Sequence, residues 1–139
     1  MGKNILIVDD SRIMRNIVKN TFLQLKIPCD FIEAGDGHEA LQKLLANKIH
    51  LVLLDWNMPK LLGIDFLKKV RNLEQYKNLP IIMVTSESAR YNVIDAIDAG
   101  ATDYIIKPIN EKIFFQKISQ LSLGDYDASP SLSATGRYG

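Results

Sequence analysis

Cysteine is nearly missing from this sequence. Cys29 is the only one, so no internal disulfide can form, which suits a reducing compartment. A lone thiol of this kind reads as a small, partly buried apolar residue rather than a nucleophile or metal ligand. No charge sign dominates either: 17 basic side chains face 16 acidic ones, for a net charge of +1. Binding to a nucleic-acid backbone calls for a basic stripe, so contact with DNA or RNA is not expected. No apolar run approaches transmembrane length. The opening Met1-Gly2-Lys3-Asn4-Ile5-Leu6 holds no signal-peptide core. Gly2 lacks the Ser or Thr at position 6 that a myristoylation site uses. These absences lead to the expectation of a soluble, cytoplasmic protein with no membrane insertion.

What is present is a repeating pattern. The 139 residues suit one domain, and 47% apolar content is enough for a core without staples. The run Asn4–Val8 is apolar throughout its last four residues and ends in Asp9-Asp10-Ser11, as a strand buried on both faces and followed by a polar loop would. Ile13, Met14, Ile17, Val18, Thr21, Phe22 and Leu25 then recur at helical spacing, and Pro28 is expected to stop that helix. A second strand over 30–34 leads through Gly35-Asp36-Gly37 into a helix from His38 to about Ala46. Leu51-Val52-Leu53-Leu54 is the most apolar strand candidate and runs into Asp55. Ile64, Phe66, Leu67 and Val70 mark a third helix, and 80–84 a fourth strand ending in Thr85-Ser86-Glu87. A fourth helix carries Val93, Ile94 and Ile97 and closes at Gly100. Tyr104-Ile105-Ile106 forms a last strand before Lys107-Pro108, and Ile113, Phe114, Ile118 and Leu121 line a fifth helix.

Five alternations of short apolar strand and helix predict an α/β fold with a doubly wound, five-stranded parallel sheet. Ligands of such sheets bind outside the carboxyl ends of the strands. Those ends carry Asp9 and Asp10, then Asp55, Thr85 and Lys107. Any one of them has an ordinary explanation, such as a helix cap or a solvated lysine. Together they do not, because three converging carboxylates repel and burial makes the repulsion worse. A hard divalent cation, best matched by Mg²⁺, supplies the missing positive charge. With a lysine and a hydroxyl alongside, the set suits phosphoryl transfer to a carboxylate, whose transition state spreads negative charge over the phosphoryl oxygens.

Val8-Asp9-Asp10-Ser11, Leu54-Asp55-Trp56-Asn57-Met58-Pro59, Val84-Thr85-Ser86-Glu87 and the segment from Ala99 to Pro108 resemble the receiver domains of bacterial two-component response regulators. The likeness runs from about Lys3 to Leu123 and is greatest to the stand-alone chemotaxis regulators. It implies a (βα)5 flavodoxin-like receiver fold and a phosphoacceptor at Asp55. Asp10, Asp55 and the backbone carbonyl of Asn57 would hold Mg²⁺ directly, and Asp9 would act through water. It further implies that Lys107 pairs with the phosphoryl oxygens beside a cis Lys107-Pro108 bond. Thr85 would move toward the phosphoryl group and Tyr104 would swing inward, while Asn57 and Glu87 tune hydrolysis. The protein would be a switch rather than an enzyme, with intrinsic self-phosphorylation and self-dephosphorylation chemistry. A partner histidine kinase would donate the phosphoryl group, and a downstream target such as the flagellar motor switch would read it on the fourth helix, fifth strand and fifth helix. The first helix, with Met14 and Arg15, would meet the kinase or a phosphatase. A phosphorelay intermediate and the excised receiver of a longer regulator are alternative roles. Two departures from the family pattern stand out. Leu62 precedes the loop glycine Gly63 where Asp or Asn is common, which bears on loop geometry. Ser86 stands where Ala or Gly is frequent, and it either bonds the phosphate or obstructs it.

A rival from another class is a dinucleotide-binding domain, since Gly35-Asp36-Gly37-His38-Glu39-Ala40 fits a G-x-G-x-x-A fingerprint. It follows the second strand rather than the first, and leaves the other strand-end residues unexplained. His38 and His50 read as surface residues. Trp56 is either an exposed partner contact or partly buried. Arg90, Tyr91, Lys112 and Lys117 are either solvated faces or part of the output surface. Residues 1–123 form the expected domain and 124–139, rich in Ser and Gly without periodicity, a disordered tail. A monomer is expected.

Overall fold

The computed structural model describes residues 2–56, 58, 61–85 and 90–121, with the side chains of 90–92 left out of the description. The expected tail at 124–139 lies outside the described residues. Strands β1 (Lys3–Val8), β2 (Cys29–Ala34), β3 (Leu51–Asp55), β4 (Ile81–Thr85) and β5 (Asp103–Ile106) alternate with helices α1 (Arg12–Gln24), α2 (Gly37–Ala46), α3 (Gly63–Arg71), α4 (Arg90–Asp98) and α5 (Glu111–Ser119). A short 3₁₀ turn at Glu74–Tyr76, unforeseen from the pattern, follows α3. All strand pairs are parallel in the order β2-β1-β3-β4-β5. The expected doubly wound sheet is therefore present, with its reversal of direction between β1 and β3.

The apolar strands divide their side chains between two layers, as the two-residue period of a strand requires. Ile5, Ile7, Leu51, Leu53, Ile82 and Val84 face α1 and α5, where Val18, Phe22, Phe114 and Ile118 are buried. Phe22 meets Phe114 edge to face at 5.1 Å, an arrangement favoured by the ring quadrupoles. Leu6, Val8, Val52, Leu54, Ile81 and Met83 face α2, α3 and α4. The central β3 and β4 are buried along their whole length. The edge strands β2 and β5 are only partly covered, so polar Asp30 and Glu33 are tolerated in β2.

A helix end and a strand entry each correct an expectation. α1 stops before Pro28 is reached. Lys26 takes a left-handed φ of 58°, its N–H donates to the Leu23 carbonyl, and the Ile27 N–H donates to that of Phe22. This is a Schellman termination, with lysine in the place usually held by glycine. His50 is not a surface residue. It is buried, its Nδ1 accepts the Asn4 N–H at 3.0 Å, and its own N–H donates to the Asn4 carbonyl at 2.9 Å. The imidazole thus serves the backbone of β1 where β3 begins. Gly100 closes α4 as expected, at a φ of 109°.

The dinucleotide reading fails at the start of α2. Asp36 caps the helix by accepting the Glu39 N–H at 2.8 Å, and Glu39 in turn accepts the Gly35 N–H at 2.8 Å. Two carboxylates therefore stand where a pyrophosphate would have to lie. Leu61 also fills the space over Gly37, its Cβ lying 2.9 Å from where a Gly37 Cβ would be.

Leu62 begins α3 without a side-chain cap, which is the local consequence of its departure from the family pattern. Gly63 follows, with its N–H on the Trp56 carbonyl at 3.0 Å. A Cβ there would sit 2.2 Å from the Asp55 carbonyl oxygen. Gly63→Ala gains at most about 1 kcal/mol of helix propensity, whereas backbone overpacking costs about 1–3 kcal/mol or more. A net loss of stability is expected, seen as a lower urea midpoint at unchanged slope; an unchanged midpoint would show that the loop yields freely.

Candidate functional site

Strand register builds the site. Val8 is level with Leu54, so the next residues, Asp9 and Asp55, emerge side by side. Asp55 is level with Val84, which puts Thr85 one residue beyond it. Thr85 is level with Ile106, and the Lys107 N–H donates to the Thr85 carbonyl at 2.7 Å. The Lys107-Pro108 bond is cis, as the family resemblance implied.

The side chains meet accordingly. Asp9, Asp10 and Asp55 each offer an oxygen, all within 4.8 Å of one another. Asp9 and Asp55 are buried, whereas Asp10 is exposed. Lys107 Nζ donates to Asp55 Oδ1 at 3.1 Å and to Asp9 Oδ2 at 3.5 Å. Asp9 Oδ1 also accepts the Ser11 N–H at 2.9 Å, which holds the loop as it enters α1. Thr85 is buried at the end of β4. Asn57, Ser86 and Glu87 lie outside the described residues.

Charge compensation is incomplete. Burial, and then the Asp9 carboxylate, push the Asp55 carboxyl up to about 6; Lys107 opposes the shift and Asp10 adds to it. Burial pulls the Lys107 ammonium down, but Asp55 and Asp9 together outweigh it and raise the group above its usual range. One ammonium against three carboxylates leaves two negative charges unmatched when all are ionised. The donors are all carboxylate oxygens, with no imidazole or thiol in the cluster. That donor set and that charge fit a hard divalent cation such as Mg²⁺ rather than zinc.

Around this centre, the neighbouring side chains take defined places. Lys117 is not a solvated lysine: its Nζ donates to Asp103 Oδ1 at 2.8 Å and lies 4.1 Å above the centroid of the Tyr104 ring, a cation–π contact. Tyr104 itself is half-buried against the core. Trp56 is partly buried and packs on the same cluster. Arg15, on the helix expected to meet a partner, is engaged internally. Its Nε donates to Glu33 Oε1 at 2.8 Å and its Nη1 to the Asp9 carbonyl at 2.6 Å. Lys112 is exposed as a solvated residue would be, and the side chains of Arg90 and Tyr91 lie outside the description. His38 is exposed. Burial, then Asp30, push the Cys29 thiol up to about 11, which keeps it protonated and unreactive. Gly63, the loop glycine of the family pattern, belongs to the site because of its approach to Asp55.

The raised Asp55 carboxyl has a stability consequence. The folded state holds this proton more tightly than the unfolded chain does. The contribution is therefore fully present below about pH 4 and lost as pH rises through about 6. Without divalent cations, Asp55→Asn should be more stable than the unsubstituted protein at pH 7 by about 1–3 kcal/mol. The gap should narrow toward pH 4. Urea melts across that range check it, and a gap independent of pH would rule out ionisation of Asp55 as its source.

Comparison with known proteins places the sequence and the fold. Residues 5–119 match the family described as the response regulator receiver domain. The chain is 44% identical to the chemotaxis protein CheY1 of Helicobacter pylori over 124 residues, covering 88% of this chain and 98% of the relative. It is 41% identical to the chemotaxis protein CheY of Pseudomonas aeruginosa over 84% of this chain and 94% of the relative. Among solved structures, Vibrio cholerae chemotaxis protein CheY4 superposes with a TM-score of 0.77 at 31% identity, over 87% of this chain and 99% of that one. A response regulator from Chloroflexus aurantiacus reaches 0.82 at 27% identity, over 89% and 99%. The chain belongs to the response regulator receiver domain family, and to its CheY-like members.

Proposed function

We propose that the protein is a stand-alone response regulator whose Asp55 accepts a phosphoryl group from a phosphohistidine of a partner kinase. The observation that carries this reading is Asp55 itself. It is a buried carboxylate crowded by Asp9 and Asp10 and held by Lys107 at 3.1 Å. An Asp55 carboxylate oxygen forms the new bond to phosphorus while the bond from phosphorus to the histidine nitrogen breaks. The electron pair of that bond stays with the ring.

Asp10, Asp55 and the Asn57 carbonyl would hold Mg²⁺, with Asp9 acting through water. When bound, the cation offsets the negative charge of the carboxylates and of the transferring group. Lys107 exchanges its present acceptors for phosphoryl oxygens, and the Thr85 hydroxyl donates a further hydrogen bond. These contacts exist only with the phosphorylated form, so they bias the equilibrium between two conformations. Glu87 and Asn57 would tune hydrolysis.

The readout surface is α4, β5 and α5. It offers a groove of about 300 Å³ lined by Tyr104, Ile105, Ile106, Asn110, Ile113 and Lys117. Ile94 and Ile97 are also exposed on α4. Inward movement of Tyr104 into space vacated by Thr85 would reshape this groove. The relatives named as chemotaxis proteins match over nearly their full length, which favours a chemotactic target such as the flagellar motor switch. The kinase or a phosphatase meets α1. We place the switch in residues 1–123 of a cytoplasmic monomer. No helix among the described residues is long and apolar enough to cross a membrane.

Incubation with acetyl phosphate and Mg²⁺, followed by intact mass measurement, should show one added phosphoryl group. The addition should vanish in Asp55→Asn and when the metal is chelated. Labelling of Asp55→Asn at the unsubstituted rate would refute the acceptor.

A further inference from the structure

The loop between β1 and α1 carries two of the three carboxylates, yet they are held very differently. Asp9 is buried and tied by Lys107 and by the Ser11 N–H. Asp10 is exposed, and among the described residues its carboxylate has no hydrogen-bonding or ion-pairing partner. What aims Asp10 must therefore act through the backbone.

Arg15 is placed to do so. Its Nη1 donates to the Asp9 carbonyl at 2.6 Å. The Asp9 N–H makes the last hydrogen bond to β2, donating to the Ala34 carbonyl at 3.0 Å, and the Asp9 carbonyl is the next backbone group beyond it. The peptide unit is planar, so a bond that fixes the Asp9 carbonyl also fixes the plane that ends at the Asp10 Cα. The bond is charge-assisted, and therefore short and strong. The guanidinium is itself held from behind: Nε donates to Glu33 Oε1 at 2.8 Å, and Lys19 Nζ meets Glu33 Oε2 at 2.7 Å. These two bonds hold the Glu33 carboxyl below its usual range, the Lys19 bond most strongly. Only 16% of the Arg15 side chain is exposed, so the cation does not depend on solvent for its position. Glu33 is shared by Arg15 and Lys19, so one carboxylate braces two cations.

We infer that Arg15, braced by Glu33, is a positioning residue that presets Asp10 for the divalent cation. The inference rests on the Mg²⁺ reading proposed above. It assigns a role inside the molecule to a residue that sequence placed at a partner interface. Lysine is not an equivalent, because a single ammonium cannot reproduce the planar fork that spans the Asp9 carbonyl and Glu33.

Mg²⁺ titration followed by Trp56 emission tests it, with acetyl phosphate labelling as a second readout. Arg15→Gln and Glu33→Gln should each weaken Mg²⁺ binding, Arg15→Gln by roughly tenfold, as loss of an outer-shell partner does. Arg15→Lys should recover part of the affinity. The labelling rate at saturating Mg²⁺ should return to within about twofold of the unsubstituted protein, since only the metal-bound population has changed. Ile118→Ala, a core substitution on α5, controls for general destabilisation and should leave Mg²⁺ affinity unchanged. Unsubstituted protein that binds Mg²⁺, with equal affinity in Arg15→Gln or an equal loss in Ile118→Ala, overturns the inference alone. Unsubstituted protein that binds no Mg²⁺, or binding that survives in Asp10→Ala, overturns the metal reading and this inference with it.

Discussion

Mutual repulsion among Asp9, Asp10 and Asp55 is the constraint on which the rest of the structure depends. Three carboxylates within 4.8 Å of one another, matched by one ammonium, destabilise any fold that brings them together. The fold brings them together because the strands that carry them have nowhere else to go. Ile5 to Val8 and Leu51 to Leu54 are almost fully buried, and a one-residue slip in register would exchange the two layers of the core. Hydrophobic packing therefore fixes the positions of groups that electrostatics alone would separate.

This opposition makes the site responsive. Burial and Asp9 raise the Asp55 carboxyl while Lys107 restrains it, so a new cation or a new anion at that spot changes the balance sharply. A site already neutralised within the protein would have little to gain from either. The surroundings hold the geometry in place against that tension. The Lys107 N–H is bonded to Thr85, and the Arg15 guanidinium to the Asp9 carbonyl. Gly63 lets the start of α3 approach the Asp55 carbonyl more closely than any side chain would permit. On the far edge, Lys117 rests on Asp103 and on the Tyr104 ring, so the proposed readout surface is itself part of an ordered polar contact.

Legibility in the sequence followed burial. The central strands were plain because a strand covered on both faces is apolar at every position, as in Leu51 to Leu54. The edge strands were less plain, since β2 mixes Asp30 and Glu33 with apolar residues. Short polar side chains cap α1, α2 and α5 at Ser11, Asp36 and Asn110. The end of α1 was misread because Pro28 is a visible stop, whereas a left-handed Lys26 carries no mark in the sequence. His50 was misread for a related reason. Its partner is the backbone of Asn4, and backbone acceptors and donors are the same at every position.

The sequence by itself determined the fold class and the chemical set at the strand ends. Alternation of apolar runs with helical periodicity leaves few arrangements open, and a parallel sheet must gather the residues after each strand at one edge. Only the tertiary structure decided how those residues divide the work. It buries Asp9 on Lys107 and leaves Asp10 exposed, although the two are neighbours of the same chemical type. It turns Arg15 and Lys117 inward, although both sit on amphipathic helices where lysine and arginine commonly face solvent. The physical reason is common to these cases. Hydrophobic pattern is written in residue type and spacing, while the partner of a charged side chain depends on which strand, loop or carbonyl the fold brings within about 3 Å of it.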